Sequence, residues 1–168
     1  FGVSKHCIPL RTIFFCKETI SCCSTFRNSI GAKGKTIIAY ILNTKTLFKD
    51  AVIDPFIHSY LNGETPNPCV NCNRFIKFDA LLEKASALGI DYVATGHYCK
   101  KTYSNKTKTY RLNQAADDQK DQTYFLHEVS GEEFAKCMFP IEGLTKFEVR
   151  EIAEKNNFIN HDKKDSVG

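Results

Sequence analysis

Cys69 and Cys72 stand two residues apart in the segment Thr65-Pro-Asn-Pro-Cys-Val-Asn-Cys-Asn73. Such a CxxC supports three chemistries. It could be half of a zinc site, which would need two more ligands at matched spacing. It could be a redox or nucleophilic thiol at a helix N-terminus, where unsatisfied N–H groups and the helix dipole stabilise thiolate. It could also be two small buried apolar side chains. Cys22 and Cys23 are adjacent rather than a second CxxC, and His97 is isolated, so the pattern alone leaves all three open.

Three other places carry polar chemistry. Gly96-His97 directly follows the apolar run Ile90–Thr95. Ligands of open α/β sheets bind beyond the carboxyl ends of strands, and glycine there lets backbone approach a nucleotide closely. A tight turn with a surface histidine is the plainer reading. Lys120-Asp121-Gln122 could meet phosphate and base edges, or could simply open an exposed helix. Lys100, Lys101, Lys106 and Lys108, interleaved with Tyr98, Tyr103 and Tyr110, could track an RNA backbone or form a solvated hairpin tip. There is no GxGxxG, no GxxxxGK[ST] and no Ser-His-Asp set.

The elements that must position these residues follow from periodicity. Thr36–Leu42 is a short β-rich run and predicts a buried strand. Phe48, Val52, Phe56, Ile57, Tyr60 and Leu61 recur at helical spacing, with Pro55 inside and Gly63 as a stop. The prolines of Thr65-Pro-Asn-Pro68 bias their preceding residues away from helix. A second amphipathic helix is predicted over Lys77–Leu88, with Phe78, Leu81, Leu82, Ala85 and Leu88 on one face and Gly89 after it. Ile90–Thr95 predicts a strand, and Tyr110–Leu112 the return strand of a hairpin. Ser130 with Glu133 and Thr145 with Glu148 fit the capping box and open helices over about 131–138 and 146–156. Helix, strand and Gly turn in succession indicate an α/β domain.

Composition agrees. The 168 residues are 42% hydrophobic and 25% charged, with a net charge of +4. That is an ordinary globular balance, compatible with a nucleic-acid partner without requiring one. The longest apolar run, Ile37–Leu42, is far short of the roughly 20 residues that cross a bilayer. No signal-peptide order is present, so the eight cysteines read as thiols of a reducing compartment, cytoplasmic or an organellar matrix.

From about Val52 to Gly168 the chain resembles the bacterial and organellar tRNA 2-thiouridylases. The resemblance rests on five motifs in order: TPNPCVNCNRFIKF (Thr65–Phe78), LGIDYVATGHY (Leu88–Tyr98), Asp117 with KDQTYFL (Lys120–Leu126), FPIEGLTKFEVREIA (Phe139–Ala153) and KKDSVG (Lys163–Gly168). It implies an α/β domain with a nucleotide-binding parallel sheet flanked by helices, of the ATP-pyrophosphatase type. It also implies ATP, with Mg, adenylating O2 of a tRNA wobble uridine, and a cysteine persulfide delivering sulfur to C2. The persulfide would come from a sulfur-relay or cysteine desulfurase-type donor protein.

Carried over by position, Cys72 is the catalytic cysteine, attacking the persulfide sulfur and pairing transiently with a second cysteine. Asn67, Pro68 and Cys69 would line the target base. Gly96 would approach ATP, His97 would sit beside tRNA, and Lys120, Asp121 and Gln122 would contact it. No metal ligand is implied.

The family's opening SGGxDSS phosphate loop has no counterpart in residues 1–35, and its second cysteine lies just past KKDSxG. The expectation is therefore a poorly matching segment 1–35 followed by a partial catalytic domain over 36–168. That domain would carry a helical tRNA-contacting part toward its C-terminus and would be inactive alone. A non-catalytic tRNA-binding remnant, a structural zinc module and an ATP-pyrophosphatase with another substrate are the competing readings.

Overall fold

The computed structural model describes Ile13–Phe14, Tyr40, residues 42–158, and residues 161 and 162. Strand β1 (Ile13–Phe14) is followed by a long helix built of α1 (Lys45–Phe48), a π-helical stretch (Lys49–Ile53) and α2 (Asp54–Leu61). A second continuous helix runs through α3 (Pro68–Asn71), a π-helical stretch (Cys72–Ala80) and α4 (Leu81–Ala87). Strand β2 (Val93–Ala94), the hairpin of β3 (Lys100–Ser104) and β4 (Thr109–Asn113), and a 3-10 turn (Thr123–Leu126) come next. Helix α5 (Gly131–Ala135), strand β5 (Cys137–Met138) and helix α6 (Lys146–Lys155) complete the order.

Strand β2 is the middle of a three-stranded sheet. It pairs in parallel with β5, Val93 opposite Cys137, and antiparallel with β1, Phe14 opposite Val93. The expected parallel sheet is thus present as the β2–β5 pair, with an antiparallel neighbour. The strand over Ile90–Thr95 is shorter than its apolar run, although Thr95 N still donates to Met138 O at 3.0 Å.

The core gathers Phe78, Leu81, Leu82 and Ala85 of the second helix against Val93, Cys99, Leu126, Phe134, Cys137 and Phe139. Spacings of three and four bring the four helix residues onto one stripe. Phe78 is completely buried, which alone stabilises the fold by about 2–3 kcal/mol.

Several sequence expectations are met and several corrected. The first helix appears, and Gly63 after it takes a φ of +81° that glycine adopts without strain. Pro55 does not interrupt this helix but follows directly on its π-helical stretch. Both capping boxes form, each with its side-chain and backbone arms, though the helices end at Ala135 and Lys155. The predicted strand over Thr36–Leu42 is not seen where it can be judged: Tyr40 and Leu42 lie outside any strand, and residues 36–39 and 41 fall outside the described residues.

The second helix begins at Pro68, not Lys77. The reason is local. Asn67 is extended, at φ −107° and ψ 98°, as a residue before proline should be, and its side chain accepts from Cys69 N. An N-capping Asn followed by Pro at the first helical position is a strong start signal. The Pro-rich segment therefore launches the helix instead of separating it from the cysteines.

Candidate active site

The helix start places both cysteines within its first turns. Asn67 Oδ1 accepts from Cys69 N at 3.0 Å. Cys69 is exposed and Cys72 half-buried, and neither is in a disulfide. Asn71, between them, ties this helix to the preceding one: its Nδ2 donates to Ala51 O at 3.1 Å. Ala51 is four residues before Pro55, whose ring nitrogen has no hydrogen to offer that carbonyl. The proline thus leaves an acceptor that Asn71 fills.

The next residue is more deeply engaged. Asn73 is only 3% exposed. Its Nδ2 donates to Phe125 O at 2.9 Å, and its Oδ1 lies 3.2 Å from His97 Nε2. Because Nδ2 must face the Phe125 carbonyl, Oδ1 faces the imidazole and can only accept. His97 therefore carries its proton on Nε2, and Nδ1 accepts from Thr95 Oγ1 at 2.7 Å. Burial, reinforced by the charge of Lys77, pushes the imidazole pKa down to about 3. His97 is a neutral, enclosed group packed 5.7 Å from the Phe78 ring, not the surface histidine of a tight turn.

The Lys120–Gln122 segment folds back on the same turn. Gln122 N donates to Tyr98 O at 2.9 Å, and Gln122 Oε1 accepts from Tyr98 N at 3.0 Å. Asp121 accepts from Ala115 N at 2.8 Å and from the Thr123 hydroxyl. Lys120 is exposed at the preceding turn. Asp117 Oδ2 accepts from Lys146 N at 2.8 Å, which holds the start of α6. Segments 67–73, 95–98 and 121–125, far apart in sequence, are thus joined by buried or half-buried hydrogen bonds. Gly96 lies just past β2, exposed, where an added Cβ would meet nothing within 4 Å.

A shallow cleft of about 280 Å³ lies beside the helix start, lined by Pro55, Phe56, Asn67, Pro68, Asn71 and His127 among others. Asn67 and Pro68 are among its lining residues and Cys69 is not; Asn67 and Pro68 also build the helix cap. Asn73, Asn71 and Thr95 are neighbours of the predicted site residues that spacing did not single out, whereas Tyr98 was read only as part of the basic run. Asn73 could have been found, because an amide on a helix with an apolar face must be satisfied if it turns inward.

The remaining described cysteines are chemically quiet. Cys99 and Cys137 are fully buried, and burial pushes each thiol up to about 12. The basic run divides. Lys101 turns inward, its Nζ donating to Phe134 O at 2.9 Å and to Cys137 O and lying 4.7 Å from the Tyr110 ring centroid, whereas Lys100, Lys106 and Lys108 stay exposed. Among the described residues no three His, Cys, Asp or Glu side chains gather as a metal-binding group. No helix of the described residues is long and apolar enough to cross a membrane.

Comparison with known proteins points the same way. Residues 11–168 match the family model described as the tRNA methyl transferase HUP domain. The chain is similar to a tRNA-specific 2-thiouridylase MnmA of Carboxydothermus hydrogenoformans, 43% identical over 153 residues, covering 89% of this chain and 42% of that protein. It is similar to the protein of that name from Moorella thermoacetica, 53% identical over 116 residues, covering 69% of this chain and 32% of that protein. A Clostridium botulinum relative of the same name (strain Eklund 17B) is 46% identical over 127 residues, or 76% of this chain and 35% of its own length. The chain spans less than half the length of each of these relatives.

Proposed function

Because this chain belongs to the tRNA methyl transferase HUP-domain family, a nucleotide-binding α/β family, we propose that it is the part of a tRNA 2-thiouridylase that holds the reacting cysteine. The reaction is ATP-dependent sulfur transfer to C2 of a wobble uridine in tRNA. The observation that carries the reading is the convergence at Asn73: the helix of Cys72, the turn of Gly96 and His97, and the 3-10 turn that contains Phe125 are bonded to one side chain.

Each residue then has a task. Cys72 acts on the persulfide that supplies sulfur, which a donor protein of the sulfur-relay or cysteine desulfurase type delivers. A thiolate is a far better sulfur nucleophile than a thiol, and the first turns of a helix favour it. Asn67, Pro68 and Cys69 form the wall against which the target base rests, beside the shallow cleft. Gly96 gives the nucleotide room at the carboxyl end of β2. ATP, with Mg, supplies the activation that turns the uridine oxygen into a leaving group. Lys120 meets the tRNA backbone, Asp121 holds the loop that presents it, and Gln122 fixes Tyr98. His97 sets the wall on the tRNA side from within.

The test is a chimera in which residues 11–168 replace the matching region of the Carboxydothermus hydrogenoformans relative. With tRNA, ATP and a persulfide donor, nucleoside mass spectrometry should find 2-thiouridine, and Cys72→Ser should abolish it. A folded chimera that thiolates equally well with Cys72→Ser would overturn the assignment.

A further inference from the structure

We propose that Cys69 is a second reacting thiol, which resolves disulfide adducts formed on Cys72 by closing a Cys69–Cys72 disulfide within one helical turn. The proposal takes the reactivity of Cys72 from the reading above, but the closure itself needs neither tRNA nor nucleotide.

The geometry comes from the helix start. Cys72 N donates to both Pro68 O and Cys69 O. The second of these bonds is the 3-10 type, which brings side chains three residues apart towards eclipse. Helix geometry puts Cα atoms three residues apart about 5 Å from each other, inside the roughly 4.4–6.8 Å that disulfides tolerate, while their Cβ atoms, about 5–6 Å apart, must draw in by about 1–2 Å to reach the roughly 3.5–4.5 Å of a disulfide. The turn stands at the helix mouth, with Cys69 exposed and Cys72 half-buried, so a disulfide partner can reach it. Cys69 is also held in place, because the Asn67 cap binds its amide at 3.0 Å. Pro68 on its N-terminal side fixes the backbone further. By contrast Cys99 and Cys137 are sealed in the core, which confines exchange chemistry among residues 42–158 to this turn.

The step balances as thiol–disulfide exchange. The Cys72 thiolate attacks one sulfur of an external disulfide, forming a mixed disulfide and releasing one thiolate. The Cys69 thiolate then attacks Cys72 Sγ, breaking the mixed bond and releasing the second thiolate. The pair gives up two protons and two electrons, and the external disulfide becomes two thiols.

Oxidised glutathione is a suitable probe for the full 168-residue chain. Trypsin cuts after Lys49 and Arg74, and the peptide Asp50–Arg74 contains Cys69 and Cys72 and no other cysteine. After exchange, alkylation with N-ethylmaleimide and digestion, the wild-type peptide should be two hydrogens lighter, with neither glutathione nor maleimide attached. In Cys69→Ser the same peptide should keep glutathione on Cys72. Circular dichroism checks that this exposed substitution leaves the fold intact. A wild-type peptide that keeps glutathione on one cysteine and maleimide on the other overturns the proposal, as does one alkylated at both. Closure in a chain whose chimera makes no 2-thiouridine would sink the proposed reaction and leave the dithiol standing.

Discussion

Asn73 Oδ1 lies 3.2 Å from His97 Nε2, and this buried contact joins the helix of Cys72 to the turn that follows the central strand. The two residues are 24 apart in sequence. Asn73 spends its other arm on Phe125 O, 52 residues away. One amide therefore sets the rotation of the helix about its axis, and with it the direction in which Cys72 faces.

Replacing Asn73 with Ala removes both bonds and leaves a half-buried carbonyl and a buried imidazole N–H without this partner. The expected cost is about 2–4 kcal/mol, since each orphaned buried group costs about 1–3 kcal/mol. Urea denaturation followed by circular dichroism measures it. A loss below about 1 kcal/mol, near the net worth of an ordinary exchangeable hydrogen bond, would mean that the contact does not hold the segments together.

The same network makes stability depend on pH. His97 stays neutral in the folded chain down to about pH 3, while its unperturbed value is 6.5. Between those values the unfolded chain binds a proton that the folded chain refuses. The contribution is therefore complete above about pH 6.5 and is lost as pH falls toward 3, with a slope of up to about 1.4 kcal/mol per pH unit. Urea midpoints at pH 7, 6 and 5 should decline, and His97→Gln, which retains a donor for Asn73, should decline less. Parallel slopes in the two proteins would show that His97 titrates normally.

Thiol reactivity should separate the cysteines by burial. Iodoacetamide at pH 8 should modify Cys69 in the native chain and leave Cys99 and Cys137 untouched, because their thiols are pushed up to about 12 and shielded from the reagent. Peptide mass spectrometry reads the pattern, and urea should release both buried thiols. Rapid native modification of Cys99 would contradict the packing around β2 and β5.

The cap on the reactive helix is separable from its walls. Asn67→Ala should cost about 1 kcal/mol through loss of the bond to Cys69 N, and Asn67→Asp should restore most of it. Hydrogen exchange at the Cys69 amide should accelerate in the first variant only. Unchanged protection in Asn67→Ala would show that Pro68 alone sets the helix start.

Periodicity served well where a single face decided the element. Phe78, Leu81, Leu82 and Ala85 were legible as a core stripe, and both capping boxes were read from residues three apart, because those interactions are local. Thr65-Pro-Asn-Pro68 was legible as non-helical up to Asn67, but its power to start a helix was not. A proline excludes helix before it and favours helix after it, and the apolar stripe becomes regular only later. Among the candidate site residues, Cys72, Gly96 and Gln122 were proposed from motif order, whereas Asn73, Asn71 and Thr95 were passed over. Their importance lies in partners 20 or more residues away, or in a histidine whose burial no spacing reveals.

From the sequence alone come the apolar face of the second helix, the hairpin and the order of motifs that assigns the family, since each depends on neighbours along the chain. The folded arrangement settles the rest. It turns His97 inward and makes it neutral, divides the lysine run into one half-buried tether and several exposed charges, and separates accessible from buried cysteines. It also brings Asn73, His97 and Phe125 to one point. Burial and hydrogen-bond partnership are properties of distances through space, and residues with the same type and local spacing acquire opposite chemistry according to which side of the core they meet.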